Sequence, residues 1–172
     1  DAIGTPYHAI TRFADVKAGD NLLIVGAGGL GLHAVQIAKL YGAKVFVVDL
    51  DPKALDLAKN LGADETFLPA EAPDAVRDLT FGLGVDAVIE IVGTPDSLAW
   101  SLPSLKRGGK LILVGYTPGK SFSLDAMDMH FHEWQVIGSR FVTKPELMKV
   151  IKLIEEGKIK PVVTKTFPFE QA

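Results

Sequence analysis

The sequence predicts an α/β fold: a doubly wound, mainly parallel sheet of six strands with helices on both faces. Three observations predict it. Apolar runs of strand length alternate with helical patterns along nearly the whole chain, the order that builds βαβ units. The first run, Asn21-Leu22-Leu23-Ile24-Val25, is apolar without a break after Asn21, as a buried parallel strand requires. Between it and a helical pattern reaching Tyr41 stands Gly26-Ala27-Gly28-Gly29-Leu30-Gly31, a glycine-rich turn from strand to helix.

The elements follow in order. Residues 1–13 stand apart, with Tyr7, Ile10 and Phe13 at helical spacing, and read as a short helix ahead of the first strand. The second strand is Lys44-Val45-Phe46-Val47-Val48, closing on Asp49. Asp51-Pro52 supplies an N-cap and a proline at the first helical position; that helix carries Leu55, Ala58 and Leu61 on one face and ends at Gly62. Thr66-Phe67-Leu68 is a weak third strand, and 73–80 reads as a helix. A turn at Gly82 and Gly84 leads into the fourth strand, Val85 to Ile91. Thr94-Pro95 starts a helix containing Leu98, Trp100 and Leu102, distorted by Pro103 and broken at Gly108-Gly109. The fifth strand is then Lys110 to Val114. The stretch Gly115 to Glu133 has no clear period and reads as a loop with a short helical turn. Trp134 to Phe141 is the sixth strand, Thr143 caps a helix over 144–156, and Val162 to Phe167 is extended.

A lone G-x-G-x-x-G says little, since glycines also mark a plain tight turn. Here an acid, Asp49, stands 18 positions beyond Gly31 at the tip of the second strand. That context makes the stretch the dinucleotide-binding signature of a Rossmann sheet. Gly26 lets the chain turn sharply off the strand, Gly28 lets backbone approach a pyrophosphate, and Gly31 lets the helix pack close on the sheet. Unpaired amides at the helix start attract the phosphates. Asp49 is placed to accept both hydroxyls of the adenosine ribose. A methyltransferase also combines a glycine-rich first turn with an acid ending the second strand, and stays open as an alternative.

Asp49 also predicts the cofactor. The 2′-phosphate of NADP would lie against Asp49 and near Asp51, and like charges ~4 Å apart near a surface cost about 4 kcal/mol. Lys53 relieves part of this, but no arginine follows Asp49 in the next few positions. The expected cofactor is NAD(H).

Composition excludes other classes. The length of 172 residues suits one domain with a real core. A net charge of −3 without a basic run argues against nucleic acid or an anionic membrane as partner. No apolar stretch approaches the roughly 18–20 residues of a membrane span, and the N-terminus lacks a signal-peptide layout. The absence of cysteine excludes disulfides, thiolate nucleophiles and cysteine-ligated zinc within this chain, and fits the expected cytoplasmic location. Starting at Asp1 without methionine, the chain reads as a piece of a longer polypeptide.

Several motifs keep a common order and spacing. They are Asp1-Ala2-Ile3-Gly4-Thr5-Pro6-Tyr7-His8-Ala9, the glycine turn, Val47-Val48-Asp49-Leu50-Asp51 with Lys53, and Leu61-Gly62-Ala63-Asp64. Glu90-Ile91-Val92-Gly93 and Gly108-Gly109-Lys110 with Val114-Gly115 complete the set. Over nearly the whole chain they resemble the medium-chain, zinc-dependent alcohol dehydrogenases. The resemblance implies the cofactor domain of such an enzyme, without its N-terminal catalytic domain and final C-terminal segment. Residues 1–18 would be a leading helix and linker, 19–157 the Rossmann core, and 158–172 an extended segment leading towards the catalytic domain.

The resemblance also implies roles. Thr5 would touch the nicotinamide end, and Gly26, Gly28, Gly29, Leu30 and Gly31 would form the pyrophosphate loop. Asp49 and Lys53 would contact the adenosine ribose, while Ile91, Gly93, Val114, Gly115 and Tyr116 would hold the nicotinamide ribose and carboxamide. Asp1 falls where the family usually places a cysteine that ligates the catalytic zinc. Some similar members carry aspartate there, and a carboxylate oxygen ligates zinc at about 2.0–2.2 Å. The plain reading of Asp1 is a solvated cap of the first helix. The glycine turn resembles the zinc branch more than the zinc-free quinone reductases, and Glu90 would be a structural hydrogen-bonding residue.

The implied parent interconverts a small alcohol and its aldehyde or ketone, with NAD accepting hydride and zinc as Lewis acid. The present chain is expected to bind NAD(H) without turnover. A zinc-independent medium-chain reductase or quinone oxidoreductase, and a stand-alone nucleotide-binding module, are the alternatives.

Other residues carry plainer readings. His130 and His132 point to opposite faces if extended, with no third ligand evident nearby, and His33 reads as a surface residue. Trp100 and Trp134 read as packing residues. The sixth strand, Trp134 to Phe141, is expected at the sheet edge, where unpaired backbone groups favour joining a second copy. The resemblance implies a homodimer there, or a tetramer.

Overall fold

A computed structural model describes residues 1–171. Its centre is one sheet of β1 (Asn21–Val25), β2 (Lys44–Val48), β3 (Glu65–Phe67), β4 (Val85–Glu90), β5 (Leu105–Leu113) and β6 (Gln135–Gly138). The strands lie in the order 3-2-1-4-5-6, and every neighbouring pair is parallel. The α-helices are α1 (Gly4–His8), which precedes β1; α2 (Gly29–Leu40), α3 (Pro52–Asn60), α4 (Ala72–Leu79), α5 (Pro95–Ser101) and α6 (Ala126–His132), which connect the strands; and α7 (Lys144–Glu155), which follows β6. The chain reverses direction across the sheet between β1 and β4, which opens a crevice at the carboxyl ends of those strands.

Side chains alternate across each strand, so one apolar run feeds two cores. Leu22 and Ile24 of β1 join Val45, Val47 and Ile89 beneath α2, α3 and α7. Leu23 and Val25 face the other way, with Phe46, Val48, Val88 and Leu111 beneath α4 and α5. This double cover is why the strands read as unbroken apolar runs. No helix among the described residues is long and apolar enough to cross a membrane.

Four boundaries differ from the sequence reading. β5 begins at Leu105 rather than Lys110, because Gly108 and Gly109 sit inside the strand instead of ending a helix. Val85 pairs with Leu105 and Ala87 with Lys110, so the intervening residues bulge out, and Gly108 takes φ +73° there. The preceding helix stops at Ser101, and Pro103 lies in a single 3₁₀ turn after it. α6 is a helix of seven residues where a loop with a short helical turn is expected; Asp125 caps it, accepting from the Met127 amide at 2.7 Å. β6 has four residues rather than the eight of Trp134 to Phe141, because its pairing with β5 runs only from Gln135 to Gly138, and Phe141 takes a left-handed φ of 56°. The stretch Val162 to Phe167 pairs with no strand.

His33 is buried, not a surface residue, with 3% of its area exposed. Its Nδ1 lies 2.6 Å from the Gly29 carbonyl, and its Nε2 accepts from the Val162 amide at 3.0 Å. One turn along α2, Gln36 donates to the Lys160 carbonyl at 3.0 Å and accepts from the Lys160 amide at 2.8 Å. Together they strap the C-terminal segment to the first crossover helix. Gln36→Ala removes both bonds to the exposed Lys160, and at about 0.5–1.5 kcal/mol net for each it is expected to cost about 1–3 kcal/mol. Urea unfolding checks the loss, and NMR hydrogen exchange should show faster exchange at Lys160 and Val162.

Candidate functional site

The site is built from backbone before it is built from side chains. β1 ends in Gly26, whose φ of +102° turns the chain sharply away from the sheet. α2 then packs so closely that a Cβ on Gly31 would stand 1.8 Å from the Gly26 carbonyl oxygen. Gly28, the N-cap of α2, and Gly29 differ: a Cβ there would meet nothing within 4 Å. The first pair of glycines is needed for the fold, and the second leaves open space before a helix end. No side chain caps α2 and its first turn holds no acid, so its amides and the positive end of its dipole face that space.

Asp49 stands at the end of β2 against the same turn. Its Oδ2 accepts from the Ala27 amide at 2.6 Å and its Oδ1 from the Asp51 amide at 2.9 Å. Each oxygen keeps a further lone pair for a ligand hydroxyl. Asp51 caps α3 by accepting from the Lys53 amide at 2.9 Å, and Lys53 itself is exposed.

The ends of β4 and β5 cross with no room for side chains. A Cβ on Gly115 would stand 1.7 Å from the Ile91 carbonyl oxygen. A Cβ on Gly93, at φ +67°, would stand 2.3 Å from the Gly115 carbonyl oxygen. Beneath the crossing lies Glu90, with none of its surface exposed. Burial pushes its carboxyl above the ordinary range, opposed by the Gly93 amide, the Ser101 and Ser97 hydroxyls and the Val92 amide.

A cleft of about 700 Å³ opens at this edge of the sheet, within the range of small-molecule sites. It brings together Asp1, Thr5, Leu30, Val114, Gly115 and Tyr116. Gly26, Gly28, Gly29, Gly31, Asp49 and Lys53 lie outside its lining, as do Ile91 and Gly93. The sequence reading missed Ser139, Arg140 and Phe141, which line the cleft where β6 ends. A strand drawn through to Phe141 hid the turn that carries them. The buried Ser139 hydroxyl has no hydrogen-bond partner among the described residues, the kind of group a polar ligand satisfies. A second groove, of about 380 Å³, lies between α5 and α6 and includes no residue nominated from sequence.

Asp1 is exposed at the cleft mouth, where its Oδ1 accepts from the Thr5 hydroxyl at 2.6 Å. No group of three or more metal-ligating side chains occurs among the described residues, so Asp1 alone does not make a zinc site. His130 and His132 sit on α6 rather than on extended chain, and the His132 ring stacks on Trp134 at 4.3 Å. α1, whose Thr5 lines the cleft, is tied to α7 by His8 Nδ1, 2.8 Å from Glu146 Oε2. Glu146 also accepts from the Thr143 hydroxyl at 2.5 Å and the Thr143 amide at 3.0 Å, closing a capping box.

With this geometry in place, known proteins provide a comparison. A family model described as zinc-binding dehydrogenase matches residues 29–156. An NAD-dependent alcohol dehydrogenase of Sulfolobus acidocaldarius is 38% identical over 171 residues, covering 98% of this chain and 49% of the relative. A D-arabinose 1-dehydrogenase (NADP(+)) of Saccharolobus solfataricus is 34% identical over 158 residues, covering 91% of this chain and 44% of the relative. The solved structure of acetophenone reductase from Geotrichum candidum, in complex with NAD, superposes with a TM-score of 0.87 at 32% identity. It covers 99% of this chain and 48% of that one. The chain thus spans about half the length of the relatives it matches.

The α1–α7 tie carries a pH dependence. Burial pushes the Glu146 carboxyl up, but hydrogen bonds from Thr143 and His8 outweigh it and hold it below the ordinary 4.5. The folded state therefore binds this proton less tightly than the unfolded chain does. The stabilisation is present above 4.5 and is lost as pH falls through the depressed value. Glu146→Gln is expected to cost about 1 kcal/mol at neutral pH, a typical loss for a helix cap. Unfolding midpoints measured from about pH 3 to pH 7 should fall less steeply in acid for this variant.

Proposed function

This chain belongs to the zinc-binding dehydrogenase family, and from that premise we propose that it is the NAD(H)-binding part of an alcohol dehydrogenase. One observation carries the reading: an uncapped helix N-terminus, fronted by two glycines with open space, faces a carboxylate at the tip of the neighbouring strand. The first-turn amides of α2 would hold the pyrophosphate. Asp49 and Lys53 would take the adenosine ribose, and Gly26, Gly28, Gly29, Leu30 and Gly31 form the loop between. The nicotinamide half would lie across the β4–β5 ends, among Thr5, Ile91, Gly93, Val114, Gly115 and Tyr116.

The division of labour follows from this placement. When bound, the cofactor supplies a ring carbon that accepts or gives a hydride. The chain binds it, turns one ring face towards the cleft and withholds water from the wall formed by Val114 and Gly115. The substrate class is a small alcohol and its aldehyde or ketone. Asp1 would serve as a zinc ligand, and the described residues gather no group of three metal-ligating side chains around it. The 172-residue chain is expected to bind NAD(H) and to turn over no alcohol.

Cofactor choice rests on Asp49 and Asp51, since the family includes a relative named for NADP as well as relatives named for NAD. Fluorescence titration is expected to show NADH binding at least about ten-fold tighter than NADPH, from like-charge repulsion at the ribose. Tighter binding of NADPH would overturn the assignment, and robust alcohol oxidation by this chain alone would overturn the division of labour.

β6 is the edge of the sheet, with one side of its backbone unpaired among the described residues. We propose that a second copy pairs there, giving a dimer or a tetramer built from it. Sedimentation at high micromolar concentration is expected to show the dimer, and a monomer would count against the edge contact.

A further inference from the structure

Glu90 gathers more hydrogen bonds than its place at a strand end requires. Its main-chain carbonyl accepts from the Val114 amide at 2.9 Å and the Gly115 amide at 3.0 Å. Its Oε1 accepts from the Val92 amide at 3.0 Å and the Gly93 amide at 2.9 Å. Its Oε2 accepts from the Ser101 hydroxyl at 3.1 Å. One residue thus fastens both chains of the glycine crossing, the Val92–Gly93 turn through its carboxylate and the Val114–Gly115 segment through its backbone.

A fully buried carboxylate is a poor stabiliser. It loses its hydration, and no cation is paired with Glu90 among the described residues. Its compensation comes from hydrogen bonds donated by the Val92 and Gly93 amides and the Ser101 hydroxyl, with the Ser97 hydroxyl beside them. Those amides belong to the turn packed on Gly115, whose other face lines the cleft.

We infer that Glu90 is a positioning residue: its carboxylate sets the Val92–Gly93 turn against Gly115, and so shapes the wall on which the nicotinamide half of the cofactor seats. The inference rests on the dinucleotide reading of the site. Glu90 touches no ligand itself and acts through the two amides. What matters is the reach of its Oε1, not its charge.

Two variants separate reach from charge. Glu90→Asp keeps the charge and withdraws it by about 1.5 Å, one carbon–carbon bond. Glu90→Gln keeps the reach; its oxygen still accepts from both amides, and its amide can donate to the Ser101 hydroxyl. Both are titrated with NADH and with ADP-ribose, which lacks the nicotinamide. Glu90→Asp is expected to lose about ten-fold in NADH affinity, the scale of lost hydrogen bonds, with ADP-ribose affinity unchanged. Glu90→Gln should stay within about two-fold of the parent for both ligands.

Equal NADH affinity in Glu90→Asp overturns the inference, as does an equal loss for both ligands. A ten-fold loss of NADH in Glu90→Gln overturns it whether or not Glu90→Asp folds. If the unaltered chain binds neither ligand, the dinucleotide reading itself falls and carries this one with it.

Discussion

The structure depends on main chain meeting main chain where no side chain fits. At the switch point, α2 leans on the turn after β1 so closely that Gly31 must lack a Cβ. A few ångströms further along the sheet, Gly93 and Gly115 let the ends of β4 and β5 cross in the same way. These contacts bring two segments of naked backbone to the carboxyl edge of the sheet: one leaves the first-turn amides of α2 open, and the other turns its amides inwards onto Glu90. Most of the remaining architecture, six parallel strands under two helical layers, serves to hold those segments still.

Polar groups at this edge do two jobs. Asp49 and Glu90 are both acids at strand ends, and both accept from backbone amides of the adjoining turn. They differ in exposure: Asp49 is half-buried and keeps lone pairs towards solvent, whereas Glu90 is sealed. One acid is therefore available for recognition and the other for shape. The α1–α7 tie through His8 and Glu146 extends the same logic to the other wall of the cleft, seating Thr5 opposite the end of β5.

Much of this was legible in the sequence, for identifiable reasons. β1, β2 and β4 are apolar on both faces, and the glycine turn with Asp49 has a spacing that few other arrangements require. What escaped was carried by residues without a local signal. α6 has no fully buried residue and meets the core through the half-buried Met129, so it shows no clear helical period. The glycine pair in β5 looks like a break when read along the chain, and only the pairing with β4 shows it to be a bulge. His33 looked like a surface residue because its partner, Val162, lies 129 positions away. The β6 end of the cleft gave no signal because the apolar pattern runs on past Gly138, where pairing with β5 stops and Ser139 to Phe141 turn into the cleft.

The clasp between Asp49 and the Ala27 amide reaches into protein engineering. Swapping this acid for a small or basic residue is the obvious way to admit a nucleotide bearing an extra phosphate. Here the same carboxylate also anchors the glycine turn, at 2.6 Å. Exchanging it alone would loosen the platform on which any nucleotide must rest, so a redesign for the other coenzyme has to supply a new acceptor for that amide along with the new charge.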